Sequence, residues 1–269
     1  MVTLILPRLV SFEGAGRRSA SVVERNVATL RSAYWVVMVT GFLEPVLYLF
    51  SIGVGVGALV GDLTLADGEV VGYAALVAPA MLASSAMTGA LSETTFNFFG
   101  KMKFMKLYDG ILATPVRPME IAFGELAWAM IRGSIYAAAF LVLMVLMGLT
   151  TAGPAVVAFF AAVLVGFAFG GAGMALTTFM RGWQDFDLIA SAQFALFLFS
   201  GTFVPAEAYP PALRWVVEVT PLYRSVDLIR GITTGEWDRW QLVDVVYLMV
   251  LFGVGLAVAS RRMEKLLCE

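Results

Sequence analysis

Glu44, Glu93, Glu125 and Arg132 are ionisable side chains inside otherwise apolar stretches of this 269-residue chain. A charge in such a stretch is costly to bury and usually faces a bundle interior with a partner. Glu44 and Arg132 lie deep in their stretches, and Glu93 and Glu125 lie nearer the ends. The pattern predicts that Arg132 pairs with one of the acids and staples three helices together; a substrate or proton site is the competing role. A second group combines Lys101, Lys103, Lys106 and Arg117 with apolar Met102, Phe104, Met105, Leu107, Ile111 and Leu112. Such a mixed segment suits either a protein partner or a membrane surface whose anionic headgroups meet the lysines.

Other chemistries lack their residues. There is no histidine, so histidine metal sites and histidine general bases are excluded. The single cysteine, Cys268, cannot form a disulfide within the chain. Lys101 follows Gly100, but Thr95 stands where a phosphate-binding loop needs its first glycine, and Met102 follows the lysine. No G-x-S-x-G elbow occurs. Asp185 and Asp187 are an isolated pair of acids, and Gly170, Gly171 and Gly173 fit close helix packing better than ligand binding. The chain carries neither a catalytic constellation nor an energy source of its own.

The elements that hold these residues are membrane spans. The chain is 60% hydrophobic and only 14% charged, with a net charge of -2, too few charges to clothe a water-soluble fold and no balance for a nucleic-acid partner. The apolar run Val2–Leu6 is broken by Pro7 and Arg8, so the first long apolar segment is expected to act as an uncleaved anchor. Six spans are predicted near 34–60, 72–97, 120–148, 154–180, 186–204 and 241–260, each of roughly 20 residues. Residues 1–33 form an N-terminal segment, 34–260 the six-helix domain and 261–269 a tail.

Loop charges orient the bundle. Arg8, Arg17, Arg18, Arg25 and Arg31 precede the first span. Lys101, Lys103, Lys106 and Arg117 lie between spans two and three, Arg181 between four and five, and Arg261, Arg262 and Lys265 after six. The positive-inside rule then places both termini in the cytoplasm. Residues 19–33 read as an amphipathic interfacial helix, with Val23, Val27, Leu30 and Tyr34 on one side. The outer segment 205–240 is punctuated by Pro205, Pro210, Pro211 and Pro221 and reads as two short helices dipping back toward the bilayer. An interfacial loop anchored by Trp237 and Trp240 is the plainer alternative.

Several segments together resemble the permeases of type-2 ABC exporters, in particular those of daunorubicin-type drug exporters and nodulation-factor exporters. They are Phe42-Leu43-Glu44-Pro45-Val46-Leu47-Tyr48, then Leu76-Val77-Ala78-Pro79-Ala80-Met81-Leu82-Ala83, then Tyr108-Asp109-Gly110-Ile111-Leu112-Ala113-Thr114-Pro115-Val116-Arg117-Pro118 leading into Gly124-Glu125. Phe199-Ser200-Gly201-Thr202-Phe203-Val204-Pro205, Thr220-Pro221-Leu222-Tyr223 and Asp227-Leu228-Ile229-Arg230-Gly231 complete the set. The chain departs from those relatives at Lys101, Lys103 and Lys106, where they carry arginine or mixed charge.

The resemblance implies an all-α fold with six spans, a cytoplasmic coupling helix and short outer re-entrant helices between spans five and six. It implies a half-transporter in a bacterial plasma membrane, pairing with a second permease, identical or homologous. ATP and Mg would bind a separate ABC ATPase, leaving no cofactor and no enzyme activity on this chain. The coupling segment would include Lys101, Lys103, Phe104, Lys106, Leu107, Tyr108, Ile111, Leu112 and Arg117. Spans two and five would line a pathway for a drug, lipid or glycolipid, with Phe96, Phe194, Phe197 and Phe203 as an apolar wall. Two other functions fit the residues less well. An ion-driven transporter would want a second broken helix to match Glu44-Pro45, and an intramembrane lipid-modifying enzyme would want clustered acids at one face.

Overall fold

A computed structural model describes residues 15–30, 43, 46–47, 49–64, 70–202, 209–235 and 238–268. The first helix, α1, is Ala15–Leu30. A π-helical stretch, Leu49–Val56, runs on as Gly57–Val60 to form α2. A two-stranded antiparallel ladder follows, β1 (Asp62–Thr64) against β2 (Val70–Gly72), with Leu63 opposite Val71. The remaining elements are α3 (Tyr73–Phe104), α4 (Leu107–Leu112), α5 (Pro118–Leu146) and α6 (Ala152–Thr177). They are followed by α7 (Asp185–Leu198), α8 (Pro211–Val219), α9 (Pro221–Thr234) and α10 (Trp240–Cys268). Among the described residues the ladder is the single departure from an all-α chain.

Four of these helices are long and apolar enough to cross a membrane: α3, α5, α6 and Trp240–Leu266 of α10. The first part of the span expected at 34–60 lies largely outside the described residues, which cover its second half with α2 at 49–60. The span expected at 186–204 appears as α7, with 14 residues. Two expected boundaries move. Span two does not stop at 97, because α3 continues to Phe104, and the last helix does not stop at 260, because α10 runs to Cys268.

The stops and starts follow local chemistry. Lys106 adopts φ 46, a left-handed conformation that ends α3 before α4 begins. Pro118 takes the first position of α5, where its missing N–H costs nothing, and the backbone N–H of Arg117 donates to the Glu120 carboxylate at 2.9 Å. Pro211 and Pro221 open α8 and α9 in the same way, and Gly235, at φ 86, closes α9.

The core lies among α3, α5, α6, α9 and α10, with Leu82, Met87, Leu126, Phe140, Met144, Met174, Ile229 and Leu248 buried. α6 and α10 cross closely: a Cβ built on Gly255 would lie 2.5 Å from the carbonyl carbon of Gly171. Backbone packs on backbone there, as it does where small residues let membrane helices approach.

Candidate functional site

Glu125 is the node of the end of the bundle on which α1 packs. Its carboxylate is 6% exposed and accepts from Arg25 Nη2 at 2.8 Å, Asn26 Nδ2 at 3.0 Å and Lys101 Nζ at 2.6 Å. Asn26 Oδ1 accepts from Arg25 and Lys101 in turn. Tyr108 of α4 is fully buried beside this group, its ring 5.3 Å from that of Phe98. Burial, and then the neighbouring Glu125 charge, push its phenol well above the ordinary tyrosine range, so it stays protonated. One carboxylate thus joins α1 and α3 to α5, with Tyr108 of α4 buried beside it. Ser19 Oγ donates to the Glu120 carbonyl at 3.1 Å, and a Cβ on Gly124 would lie 2.7 Å from Val22 Cβ. The polar side of α1, with Ser19, Val22 and Asn26, is therefore the side packed on α5, and Val27 is left exposed.

The segment 101–117 divides accordingly. Lys101, Met102 and Tyr108 turn into the bundle, whereas Lys103, Phe104, Met105, Lys106, Asp109 and Gly110 are exposed. Leu107, Ile111 and Leu112 are half-buried, and so are Val116 and Pro118 on either side of the exposed Arg117.

Arg132 of α5 forms an ion pair with Glu93 of α3. Asn97 Nδ2 donates to the same carboxylate at 2.8 Å, and the guanidinium lies 5.9 Å from the ring centroid of Tyr136. Glu44 and Phe203 lie outside the described residues. Phe96 is brought to Trp183 and Phe186, with ring centroids 5.0 and 5.5 Å apart, and Phe104 stacks on Trp183 at 4.9 Å. Phe194, exposed, and Phe197, packed against the core, lie farther along α7. No residue of α7 is buried within the single chain.

Sequence reasoning missed other pairs. Asp244 of α10 is fully buried and meets Arg224 of α9 at 3.1 Å. Arg230 Nη2 of α9 donates to the Gly201 carbonyl at 2.9 Å and to the Leu76 carbonyl at 3.3 Å. Tyr247 Oη donates to the Val219 carbonyl. The signal for Asp244 was present: an acid within Leu242-Val243-Asp244-Val245-Val246 is as anomalous as Glu93.

Among the described residues no group of three or more His, Cys, Asp or Glu could hold a metal ion. This arrangement has four apolar helices sized for a bilayer, charges paired between them, and a partly exposed segment tied to the bundle by one carboxylate. Comparison with known proteins agrees with that character. The sequence profile described as ABC-2 type transporter matches residues 20–233. Nodulation protein J of Rhizobium leguminosarum bv. viciae is 28% identical over 262 residues, covering 96% of this chain and 99% of the relative. The protein of the same name from Rhizobium leguminosarum bv. trifolii is 29% identical over 264 residues, covering 95% and 97%. That of Rhizobium meliloti (strain 1021) is 30% identical over 217 residues, covering 80% and 81%. With a profile spanning most of its length and relatives matched nearly end to end, the chain is a membrane permease that belongs to the ABC-2 type transporter family.

Proposed function

We propose that this chain is the membrane-spanning half of an exporter whose ATP is bound and hydrolysed, with Mg, on a separate ABC ATPase. The observation that carries the proposal is the Glu125 node, which ties α1 and α3 to α5, beside the buried Tyr108 of α4, at the end of the bundle that bears the exposed Lys103, Phe104, Met105 and Lys106. A permease without a phosphate loop needs such a surface to receive force from another chain. In this reading α4 is the coupling helix, and Arg132–Glu93 staples α3 to α5 above it. Six spans, with the first near 34–60 and α7 as the fifth, put both termini and the basic loops at 101–117 and 181 on the cytoplasmic side of a bacterial plasma membrane; the outer segment 205–240 is the exception, its Arg214, Arg224, Arg230 and Arg239 offset by five acids. α8 and α9 are the outer re-entrant helices.

A second permease, identical or homologous, covers α7. That helix carries Ile189, Phe194, Leu196 and Leu198, yet none of its residues is buried in the single chain. The pathway between the copies passes an amphipathic or hydrophobic cargo, a drug, lipid or glycolipid, along α3 and α7, where Phe96, Phe194 and Phe197 stand. The test is uptake of a fluorescent amphipath into inside-out membrane vesicles containing the permease. Uptake that needs ATP hydrolysis and survives collapse of the ion gradients is expected. Uptake that ignores ATP and stops with the gradient would establish an ion-driven transporter instead.

A further inference from the structure

The last third of α3 departs from α-helical hydrogen bonding at Glu93–Asn97 and again at Gly100–Phe104, both π-helical. In a π turn an N–H reaches back five residues, so one carbonyl loses its axial partner. Here the N–H of Phe98 donates to the carbonyls of Glu93 and Thr95, passing over that of Thr94. The omitted carbonyl does not go unsatisfied: Thr177 Oγ1 of α6, completely buried, lies 2.9 Å from it. The same hydroxyl lies 2.9 Å from the Gly173 carbonyl of its own helix. It has one proton and two acceptors.

The turn is closely surrounded by α6 and by its own side-chain hydrogen bonds. A Cβ on Gly173 would lie 2.3 Å from Thr94 Oγ1, and one on Gly170 would lie 3.6 Å from Thr94 Cγ2. Thr94 and Thr95 direct their own hydroxyls to the Ala90 and Leu91 carbonyls at 2.7 and 2.6 Å. Arg132 and Asn97 hold Glu93 at the start of the turn.

We propose that Glu93–Asn97 is a register switch in α3, with Thr177 as the residue that positions it. In the π register Thr177 supplies the hydrogen bond that the Thr94 carbonyl lacks. In the α register the N–H of Phe98 takes that carbonyl, and the Thr177 hydroxyl turns to Gly173. The Thr94 carbonyl and the Thr177 hydroxyl each keep a partner in both registers, so the turn itself traps neither, and the change of register must open the Lys101–Glu125 pair below it. A change of one residue rotates everything below Phe98, including Lys103 and the approach to α4, by about 100° and moves it by about 1.5 Å. The switch belongs to this chain alone and requires no partner to be tested.

The test uses the full chain in lipid nanodiscs, with Cys268→Ser and spin labels at the exposed positions Lys103 and Met119. Thr177→Val removes the donor that the π register needs, and is expected to move the population toward the α register roughly ten-fold, the effect of one buried hydrogen bond. The interlabel distance then shifts by several ångström. Thr177→Ser is expected to restore the parent distribution, and Thr178→Val, which loses a bond only within α6, to leave it unchanged. An unshifted distribution in folded Thr177→Val overturns the switch. If that variant does not fold, Gly173→Ala must produce the shift by displacing Thr94. Hydrogen exchange on the unaltered chain gives an independent reading: amides at 98–104 are expected to exchange faster than those at 80–90, and equal protection overturns the proposal.

Discussion

Buried charges in this protein survive as pairs, and their removal should be felt one partner at a time. Glu93 is 7% exposed and Arg132 18%, so Arg132→Met leaves a carboxylate without a counter-charge. A loss of about 3–5 kcal/mol is expected, as for breaking a buried pair from one side. It should appear as a large fall in thermal midpoint in detergent, largely recovered in the double variant Arg132→Met/Glu93→Gln. Unchanged expression and midpoint in Arg132→Met would contradict the staple. Glu125→Gln is milder, because Arg25 and Lys101 keep partial contact with water. A cost of about 1–3 kcal/mol is expected, and limited proteolysis should then release α1 before the rest of the chain. The rule that an ionisable residue in an apolar stretch wants a partner singles out Glu93, Glu125 and Arg132 from sequence alone. It does not name the partners of Glu125, because Arg25 and Asn26 sit on the polar side of an amphipathic pattern, and that side normally meets water. Lys101 escaped for a similar reason: in an assumed loop it reads as a docking charge, whereas α3 is still helical there and turns it toward Glu125.

At the scale of elements, two backbone features set where helices end and how closely they cross. Lys106 holds a left-handed conformation that costs a side chain of its kind about 1 kcal/mol. Lys106→Gly should therefore keep or slightly raise the melting midpoint, and Lys106→Val, β-branched, should lower it. A lower midpoint for the glycine variant would mean that the lysine side chain, not the turn, matters there. Gly255→Val drives a side chain into the backbone of Gly171 and Ala172. It is expected to abolish recovery of monodisperse protein, whereas Gly253→Ala, with open space around its Cβ, should be recovered normally on size exclusion. Hydropathy placed α5, α6 and the start of α10 to within a few residues, and proline placement signalled two short helices in 205–240 without giving their bounds. The π turns of α3 were not legible, because a single added residue leaves no mark in an apolar pattern that is hydrophobic on all sides. The β1–β2 ladder was equally hidden, since three-residue strands are too short for an alternation to register.

At the scale of the whole molecule, α7 separates a chain complete in itself from half of a pair. Its exposed Leu188 offers a site for a cysteine. In a Cys268→Ser background, Leu188→Cys should cross-link two copies in native membranes, and Leu146→Cys, exposed at the far end of α5, should not. Equal cross-linking at both would indicate random collision. The permease character was legible from ordered motifs spread along the chain, but no motif identifies the cargo, because an apolar wall of phenylalanines accepts many amphipaths. The most direct measurement of the central claim is copurification from mildly solubilised membranes, comparing the native chain with Lys103→Glu/Phe104→Ala/Lys106→Glu. These three side chains are exposed, and none contacts Glu125. The account predicts an ATP-binding subunit with the native chain and its loss from the triple variant, with the permease still folded. An ATP-binding subunit retained equally by both would contradict the coupling surface, and none with either would contradict the ATP-driven permease itself.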